Sequence, residues 1–249
     1  WAELSTLTCR ERIPELRPTN TRVDGTEPML RLDDLITLVD EWNLTHTHQV
    51  GLVIELKHTH FLRTHGHDLV ELMLGTLERF EWDDKPDLLT IESFECGPLD
   101  RLREAGVKAT LIFLLESTGA PADEVAVRGS TPRTYEWYRS NEGLDALAAR
   151  VHGISLAKRD LLRVNGRGHA TGTLDIVDRA HARGLSVFTW TLRPENRFLT
   201  PGFRRGRTAA AWGDWQAEWR LILSTGLDGV FLDHPDLLSY IATRAHQPG

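Results

Sequence analysis

The stretch Val50-Gly-Leu-Val-Ile-Glu-Leu-Lys57 decides the fold. Its apolar residues form a nearly continuous run rich in β-branched side chains, which is typical of a parallel strand covered on both faces. Glu55 and Lys57 interrupt the run two residues apart, so in a strand both side chains point to the same face. A buried ion is costly unless it has a partner or a function. The stretch therefore predicts an active site at the C-terminal mouth of an α/β barrel.

Short apolar runs alternate with amphipathic segments along the rest of the chain, which indicates a parallel α/β fold. Further strands are predicted at residues 88–94, 107–115, 153–156, 185–191 and 228–232. Helices are predicted at residues 32–42, 68–80, 98–105, 143–151, 173–183, 214–224 and 235–243. A first insertion, at about 116–141, is predicted to be irregular, and a second, at about 193–213, is rich in Arg, Gly and Pro. The sequence thus predicts one domain over residues 1–249, a (β/α)8 TIM-barrel-type fold with only about six of the eight βα units present.

Composition narrows the class of protein. The chain has 249 residues, 41% of them hydrophobic and 26% charged, as in an ordinary globular protein. A net charge of −7 argues against broad binding to nucleic acid or anionic membranes. No apolar run approaches the roughly 18 residues of a membrane span. The two cysteines indicate neither a disulfide framework nor a zinc cluster, which leaves one bridge or two structural thiols.

Four segments, in this order along the chain, resemble the glycerophosphodiester phosphodiesterase family, and a fifth is similar to its larger bacterial members. Residues 50–57 are similar to its E-x-K strand, Ile91-Glu-Ser-Phe94 to its Q-S-F strand end, and Val187-Phe-Thr-Trp-Thr191 to its W-T strand. Residues 226–235 resemble its final G-x-D-G-x-x-T-D-x-P segment, and residues 192–199 its larger bacterial members. The resemblance implies a (β/α)8 barrel hydrolase of lipid and glycerol metabolism. Such an enzyme converts a glycerophosphodiester and water to an alcohol and glycerol 3-phosphate.

The family's H-R-G strand, E-x-D strand and H-D pair do not occur in these positions. Their places would precede Trp1, which stands where a full-length chain has Met. The resemblance therefore predicts an N-terminally truncated fragment without the family's catalytic histidine pair, and no catalytic residue is assigned. We expect such a chain to be inactive alone.

The resemblance also implies roles for residues that are present. Glu55 would be a ligand of a divalent cation, Ca²⁺ or Mg²⁺, because hard cations prefer carboxylate oxygens. Lys57 would neutralise a phosphate oxygen of the small-molecule substrate. Phe94 and Trp190 would form walls around a glycerol group, although aromatic residues at strand ends also serve as core packing. Glu92, which stands where the family usually has Gln, would either join the metal site or pair with a basic side chain.

Other polar residues leave alternatives open. His58 and His60 follow the strand and either bind a transition metal or lie on a solvated rim of the substrate site. Five arginines fall in the second insertion and either steer an anionic substrate or belong to a solvated loop. They are Arg193, Arg197, Arg204, Arg205 and Arg207.

Two other functions compete with hydrolysis. The first is a non-catalytic derivative of the barrel that binds a phosphorylated ligand or a protein, with self-association through exposed strand edges at residues 50–57 and 228–232. The second is an aldolase-type barrel in which Lys57 forms a Schiff base. The second requires a lowered pKa at Lys57, whereas the neighbouring Glu55 favours the charged form.

Overall fold

The computed structural model describes residues 1–238, and a six-stranded parallel sheet forms its centre. The strands are β1 (Leu52–Glu55), β2 (Leu89–Ser93), β3 (Thr110–Leu115), β4 (Gly153–Ala157), β7 (Ser186–Leu192) and β8 (Gly229–Leu232). They pair in this order, each with the next, so the sheet curls into an open half-barrel. The fold is therefore the predicted TIM-barrel type, with six parallel strands among the described residues.

Helices connect the strands and cover the outside of the sheet. They are α1 (Leu32–Thr45), α2 (Thr59–Thr64), α3 (Leu69–Arg79), α4 (Cys96–Glu104), α5 (Ala122–Arg128), α6 (Tyr135–Tyr138), α7 (Asn141–Ala148), α8 (Ile176–His181) and α9 (Trp215–Leu223). Several begin at a side-chain cap, as when Asp68 accepts hydrogen bonds from the main-chain N–H groups of Val70 and Glu71. No helix among the described residues is long and apolar enough to cross a membrane.

The core lies between the sheet and these helices. Its largest fully buried side chains include Trp82, Trp219, Tyr138 and Phe113. Cys96 is buried there and Cys9 is exposed, and both are free thiols. The alternative of a bridge between them is therefore wrong.

The first strand is shorter and more open than predicted. The strand covers Leu52–Glu55 rather than residues 50–57, and Val53 is 51% exposed. The expectation of a strand covered on both faces is wrong, because Leu52 is buried but Val53, which points to the opposite face, is largely exposed. Strand β1 also lies at one edge of the sheet and pairs only with β2 among the described strands.

The first insertion is not irregular. It contains α5 and α6, two short helices that the sequence analysis missed. Helix α5 has two acidic residues in its first turn and ends at Gly129, whose φ is +60°. Helix α6 begins at Thr134, whose side-chain oxygen accepts a hydrogen bond from Trp137 N–H. Helices this short show less than two turns of apolar periodicity, so pattern reading does not detect them.

Another element was missed between β4 and β7. It is an antiparallel hairpin of β5 (Leu162–Val164) and β6 (Ala170–Thr173). Its second strand occupies the start of the helix predicted at residues 173–183, which is observed only over Ile176–His181. The last predicted helix begins at Pro235, but the part beyond residue 238 lies outside the described residues.

Candidate active site

Two carboxylates stand side by side at the C-terminal ends of β1 and β2. Glu55 and Glu92 are direct partners in the parallel register of these strands. The Glu55 side chain is 24% exposed and the Glu92 residue is 7% exposed. Parallel strands bring equivalent ends to one edge, so this pairing follows from the register rather than from sequence proximity.

Lys57 forms an ion pair with Glu55, with 3.1 Å between Nζ and Oε2. Its side chain is 67% exposed, so it contacts solvent as well as the carboxylate. This exposure argues against a Schiff-base role, which needs a desolvated lysine. The lysine provides one positive charge for two adjacent carboxylates.

The second carboxyl group is poorly compensated. Burial first, and then the negative charge of Glu55, raise the pKa of Glu92 to about 7 against the opposing effect of the positive charge of Lys57. Among the described residues no group donates a hydrogen bond to the buried Oε2 atom of Glu92. Of the two alternatives for this residue, pairing with a basic partner is therefore not observed, because Lys57 bonds to Glu55 instead.

Glu55 and Lys57 line a cavity of about 380 Å³, which we call the Glu55 cavity, whereas Glu92 lies beside Glu55 and is not among the lining residues. Its lining residues come from the ends of β1, β2 and β3 and from the first insertion: Glu55, Leu56, Lys57, His58, Phe94, Glu95, Glu116, Ala120, Ala122 and Tyr135. The missed helices thus form one wall of the predicted site. Tyr135 fixes that wall by donating a hydrogen bond from its hydroxyl to the Phe94 carbonyl, at 3.0 Å.

The predicted aromatic residues meet but do not line one cavity. Phe94 lines the Glu55 cavity, and Trp190 lines a neighbouring cavity of about 660 Å³, which we call the arginine cavity. Their rings are in edge-to-face contact, with centroids 5.8 Å apart. Glu116 lines both cavities, so the two spaces adjoin.

The two candidate histidines, His58 and His60, do not share one site. His58 lies on the exposed rim of the Glu55 cavity, at the residue before α2, whereas His60 uses its main-chain N–H to donate to Glu95 Oε2 at 2.8 Å. Thr59 also donates to that oxygen, so Glu95 holds the start of α2 in place. Among the described residues no group of three or more His, Cys, Asp or Glu side chains could hold a metal ion. The pairing of His58 with His60 at a transition metal is not observed.

Sequence analysis missed Glu116 and Lys158. Both follow the C-terminal end of a parallel strand, β3 and β4 respectively, which is the position that identified Glu55. The same rule would have found them. Lys158 forms a very short ion pair with the fully buried Glu218, which also accepts a hydrogen bond from Thr200 N–H.

Comparison with known proteins places the chain among phosphodiesterases. The model of the glycerophosphoryl diester phosphodiesterase family matches residues 1–237. The Arabidopsis thaliana protein named Glycerophosphodiester phosphodiesterase GDPD6 is 26% identical over 251 residues, which cover 93% of this chain. The chain spans 59% of the length of that relative.

Solved structures of glycerophosphodiester phosphodiesterases share the fold. The Parabacteroides distasonis enzyme superposes with a TM-score of 0.56 at 14% identity, over 98% of this chain and 71% of its own. The Agrobacterium tumefaciens enzyme gives 0.52 at 15% identity, over 96% and 70% of the two chains. At these identities the likeness concerns the fold alone.

Proposed function

The chain belongs to the glycerophosphoryl diester phosphodiesterase family, and from that premise we propose that its site serves metal-dependent hydrolysis of glycerophosphodiesters to an alcohol and glycerol 3-phosphate. The observation that carries the proposal is the pair of carboxylates of Glu55 and Glu92 beside Lys57, at the mouth of a parallel half-barrel. The carboxylates would bind a metal ion that contacts the phosphate, and the ammonium group beside them would contact a phosphate oxygen.

The two carboxylates fit part of a site for a hard cation. Ca²⁺ and Mg²⁺ prefer carboxylate oxygens, and Glu92 has a buried oxygen without a hydrogen-bond donor among the described residues. In the proposed function Glu55 is the main ligand and Glu92 the second. Such a cation, when bound, neutralises phosphate charge and favours deprotonation of the attacking hydroxyl. The remaining ligands would be water, substrate or other protein groups.

The other residues of the Glu55 cavity would position the substrate. Lys57 is exposed enough to turn its ammonium towards a non-bridging phosphate oxygen, where it acts as a point charge. Phe94, held by Tyr135, would limit the space open to the glycerol group. Trp190 would act behind Phe94, through their ring contact, rather than at the glycerol itself.

Proton transfer is not assigned to any residue of this chain. His58, on the exposed rim, is the histidine that lines the Glu55 cavity among the described residues. General acid–base catalysis needs a group within hydrogen-bond reach of the transferred proton. We therefore expect the chain by itself to bind metal and phosphate without efficient turnover.

Calorimetric titration tests the binding half of the proposal. CaCl₂ or MgCl₂ is titrated first, and glycerol 3-phosphate is then titrated at saturating metal. We expect Glu55→Gln to weaken metal binding by about 10-fold or more, since it removes a charged ligand. Lys57→Met should weaken glycerol 3-phosphate binding, while the control Lys108→Met should not. Lys108 is a matched lysine, 64% exposed and paired with Asp84. Equal metal affinity of wild type and Glu55→Gln would contradict the assignment.

A hydrolysis assay tests the remaining half. Glycerophosphocholine is incubated with the chain and Ca²⁺ or Mg²⁺, and choline release is measured. Robust release that disappears in Glu55→Gln would support the hydrolase but show that the chain carries its own acid and base. Release that persists in Glu55→Gln would contradict both the site and the role of the metal.

Self-association is a second candidate function, favoured by the edges of the sheet. Strands β1 and β8 each pair on one side only among the described residues, and Val53 of β1 is 51% exposed. Unpaired edges with apolar residues are templates for pairing with another chain. We propose that the edge at β1 can pair with a second copy.

Size-exclusion chromatography with light scattering tests that pairing. Val53→Lys should shift an oligomer towards monomer, because an edge lysine opposes strand addition. The control is Val127→Lys, at an 84% exposed position of α5. A monomeric wild type over the whole accessible concentration range would exclude this candidate.

A further inference from the structure

The arginine cavity adjoins the Glu55 cavity and is the larger of the two, at about 660 Å³ against about 380 Å³. The end of β4, the β5–β6 hairpin, the end of β7 and the second insertion surround it. Both cavities contact Glu116. A substrate whose phosphodiester lies beside Glu55 can therefore extend one of its two alcohol groups into the arginine cavity.

Cations outnumber acids in the lining of this cavity. Lys158, Arg159, Arg193 and Arg204 line it, against the two acids Glu116 and Asp160. Three of these six charges already have partners elsewhere. Lys158 pairs with buried Glu218, Arg193 with Asp233 at 2.7 Å, and Asp160 with Arg139 at 3.2 Å.

Arg159 and Arg204 remain without a carboxylate partner among the described residues. Arg159 donates from Nε to the hydroxyl of Ser117 at 2.6 Å. Arg204 donates from Nε to the carbonyl oxygen of Leu199 at 2.9 Å. Each neutral contact fixes the inner nitrogen and leaves the outer Nη groups for a ligand. A guanidinium presented in this way is suited to bidentate binding of phosphate.

The local electrostatics agree with this geometry. The pKa of Lys158 is lowered first by burial and further by the nearby charges of Arg193 and Arg204, while its partner Glu218 raises it. Leu162 and Trp190 contribute apolar surface to the same lining, while Arg159 and Arg204 are exposed to solvent. Since Lys158, Arg193 and Asp160 are paired with residues outside the cavity, the charges that remain are those of Arg159, Arg204 and Glu116, a net positive set that attracts an anion and repels a cation. The cavity therefore disfavours a quaternary ammonium such as choline.

We propose that the arginine cavity binds the leaving alcohol of the substrate, and that Arg159 and Arg204 select alcohols that carry a phosphate group. The inference rests on the proposed function and deepens it by naming the substrate class: glycerophosphodiesters of a phosphorylated polyol. No bond changes at this second phosphate, which is held only by charge-assisted hydrogen bonds.

Two ligands that differ in one phosphate group test the inference. Glycerophosphoinositol 4-phosphate and glycerophosphoinositol are titrated calorimetrically into the full chain, at low salt with CaCl₂. We expect the phosphorylated ligand to bind about 10-fold tighter or more, the range for a charged hydrogen-bonded pair. Glycerophosphocholine should bind more weakly than either.

Variants locate the origin of that preference. Arg159→Gln with Arg204→Gln should reduce the affinity ratio to about one. Arg207→Gln should leave it unchanged, because Arg207 is exposed on the same insertion but does not line the cavity. Circular dichroism melts verify that each variant is folded. Equal affinities for the two inositol ligands in wild type, or a ratio that survives the double substitution, would overturn the inference.

Glu55→Gln separates this inference from the proposed function. If both hold, the substitution weakens both inositol ligands equally and leaves their ratio intact. If Glu55→Gln changes neither affinity while the arginine variants still abolish the preference, the proposed function fails and the anion site stands. If Glu55→Gln weakens both ligands but the wild-type ratio is one, the proposed function stands and the selection of phosphorylated alcohols is refuted.

Discussion

Replacing Glu92 by glutamine should stabilise the metal-free protein, and by an amount that depends on pH. Glu92 is 7% exposed and lies beside Glu55 in the register of β1 and β2. Its pKa in the folded protein is about 7, against the ordinary glutamate value of 4.5. The folded state therefore holds this proton more tightly than the unfolded state does. The contribution of this proton to the free energy of unfolding is therefore fully present below about pH 4.5 and is lost as the pH rises through about 7.

The size of the effect comes from the same two values. A difference of one pKa unit corresponds to about 1.4 kcal/mol, so ionising Glu92 costs the folded state up to about 3 kcal/mol by about pH 8. Near pH 5 the cost is below about 1 kcal/mol. Glutamine has the same shape and never ionises, and its amide can donate to Glu55. The free energy of unfolding of Glu92→Gln should therefore exceed that of wild type by an amount that increases from about pH 5 to about pH 8.

Urea denaturation in a chelating buffer, at several pH values from about 4.5 to 8, measures the gain. The quantity compared is the difference in free energy of unfolding between Glu92→Gln and wild type, so that other titrating groups cancel. Glu104→Gln, at an exposed position of α4, is the control and should differ from wild type by less than about 0.5 kcal/mol at every pH. A difference for Glu92→Gln that stays flat over the whole interval would refute the buried carboxylate pair.

Three further predictions concern stability, each measured by urea denaturation. Lys158→Met should lower the free energy of unfolding by about 3 to 5 kcal/mol, because it leaves the buried carboxylate of Glu218 without its cation. Replacing Lys158 by Met and Glu218 by Leu together should recover much of that loss. An equal loss in the single and the double variant would contradict this prediction. Gly143→Ala should destabilise α7, since the new Cβ would lie 2.2 Å from a main-chain oxygen of α6, but Gly75→Ala in α3 meets nothing within 4 Å and should stabilise by about 0.5 to 1 kcal/mol. Asp68→Ala should cost about 1 kcal/mol through loss of the α3 cap, and an unchanged midpoint would show that the cap contributes nothing.

The strands of the barrel were predictable because each is a contiguous apolar run. All six parallel strands overlap the predicted segments, although β4 and β7 each extend one residue beyond theirs and the other ends differ by a few residues at most. Sequence could also place Glu55 and Glu92 at strand ends, since position along a parallel strand fixes the edge on which a side chain lies. It could not establish that the two are register partners, because register depends on packing between strands.

The features that could not be predicted depend on contacts between segments that are far apart in the sequence. Helices α5 and α6 are too short for periodicity, yet they carry Tyr135, whose hydroxyl bonds to the Phe94 carbonyl. Partnerships across long separations were equally invisible. Arg17 lies in the polar N-terminal segment and binds Glu195 and Asp233, with distances of 2.7 and 2.8 Å. No local pattern encodes such a pair.

The carboxylate pair links stability to function in opposite directions. Glutamine at position 92 would relieve the repulsion from Glu55, so the carboxylate lowers the stability of the metal-free fold. The same repulsion is what a divalent cation would neutralise on binding, and any ligand that binds only the folded state stabilises it. Saturating Ca²⁺ should therefore flatten the pH dependence of wild type and leave that of Glu92→Gln nearly unchanged. If Ca²⁺ left the pH dependence of wild type unchanged, Glu92 would destabilise the fold without binding a metal ion. Its proposed role as a ligand would then have to be abandoned.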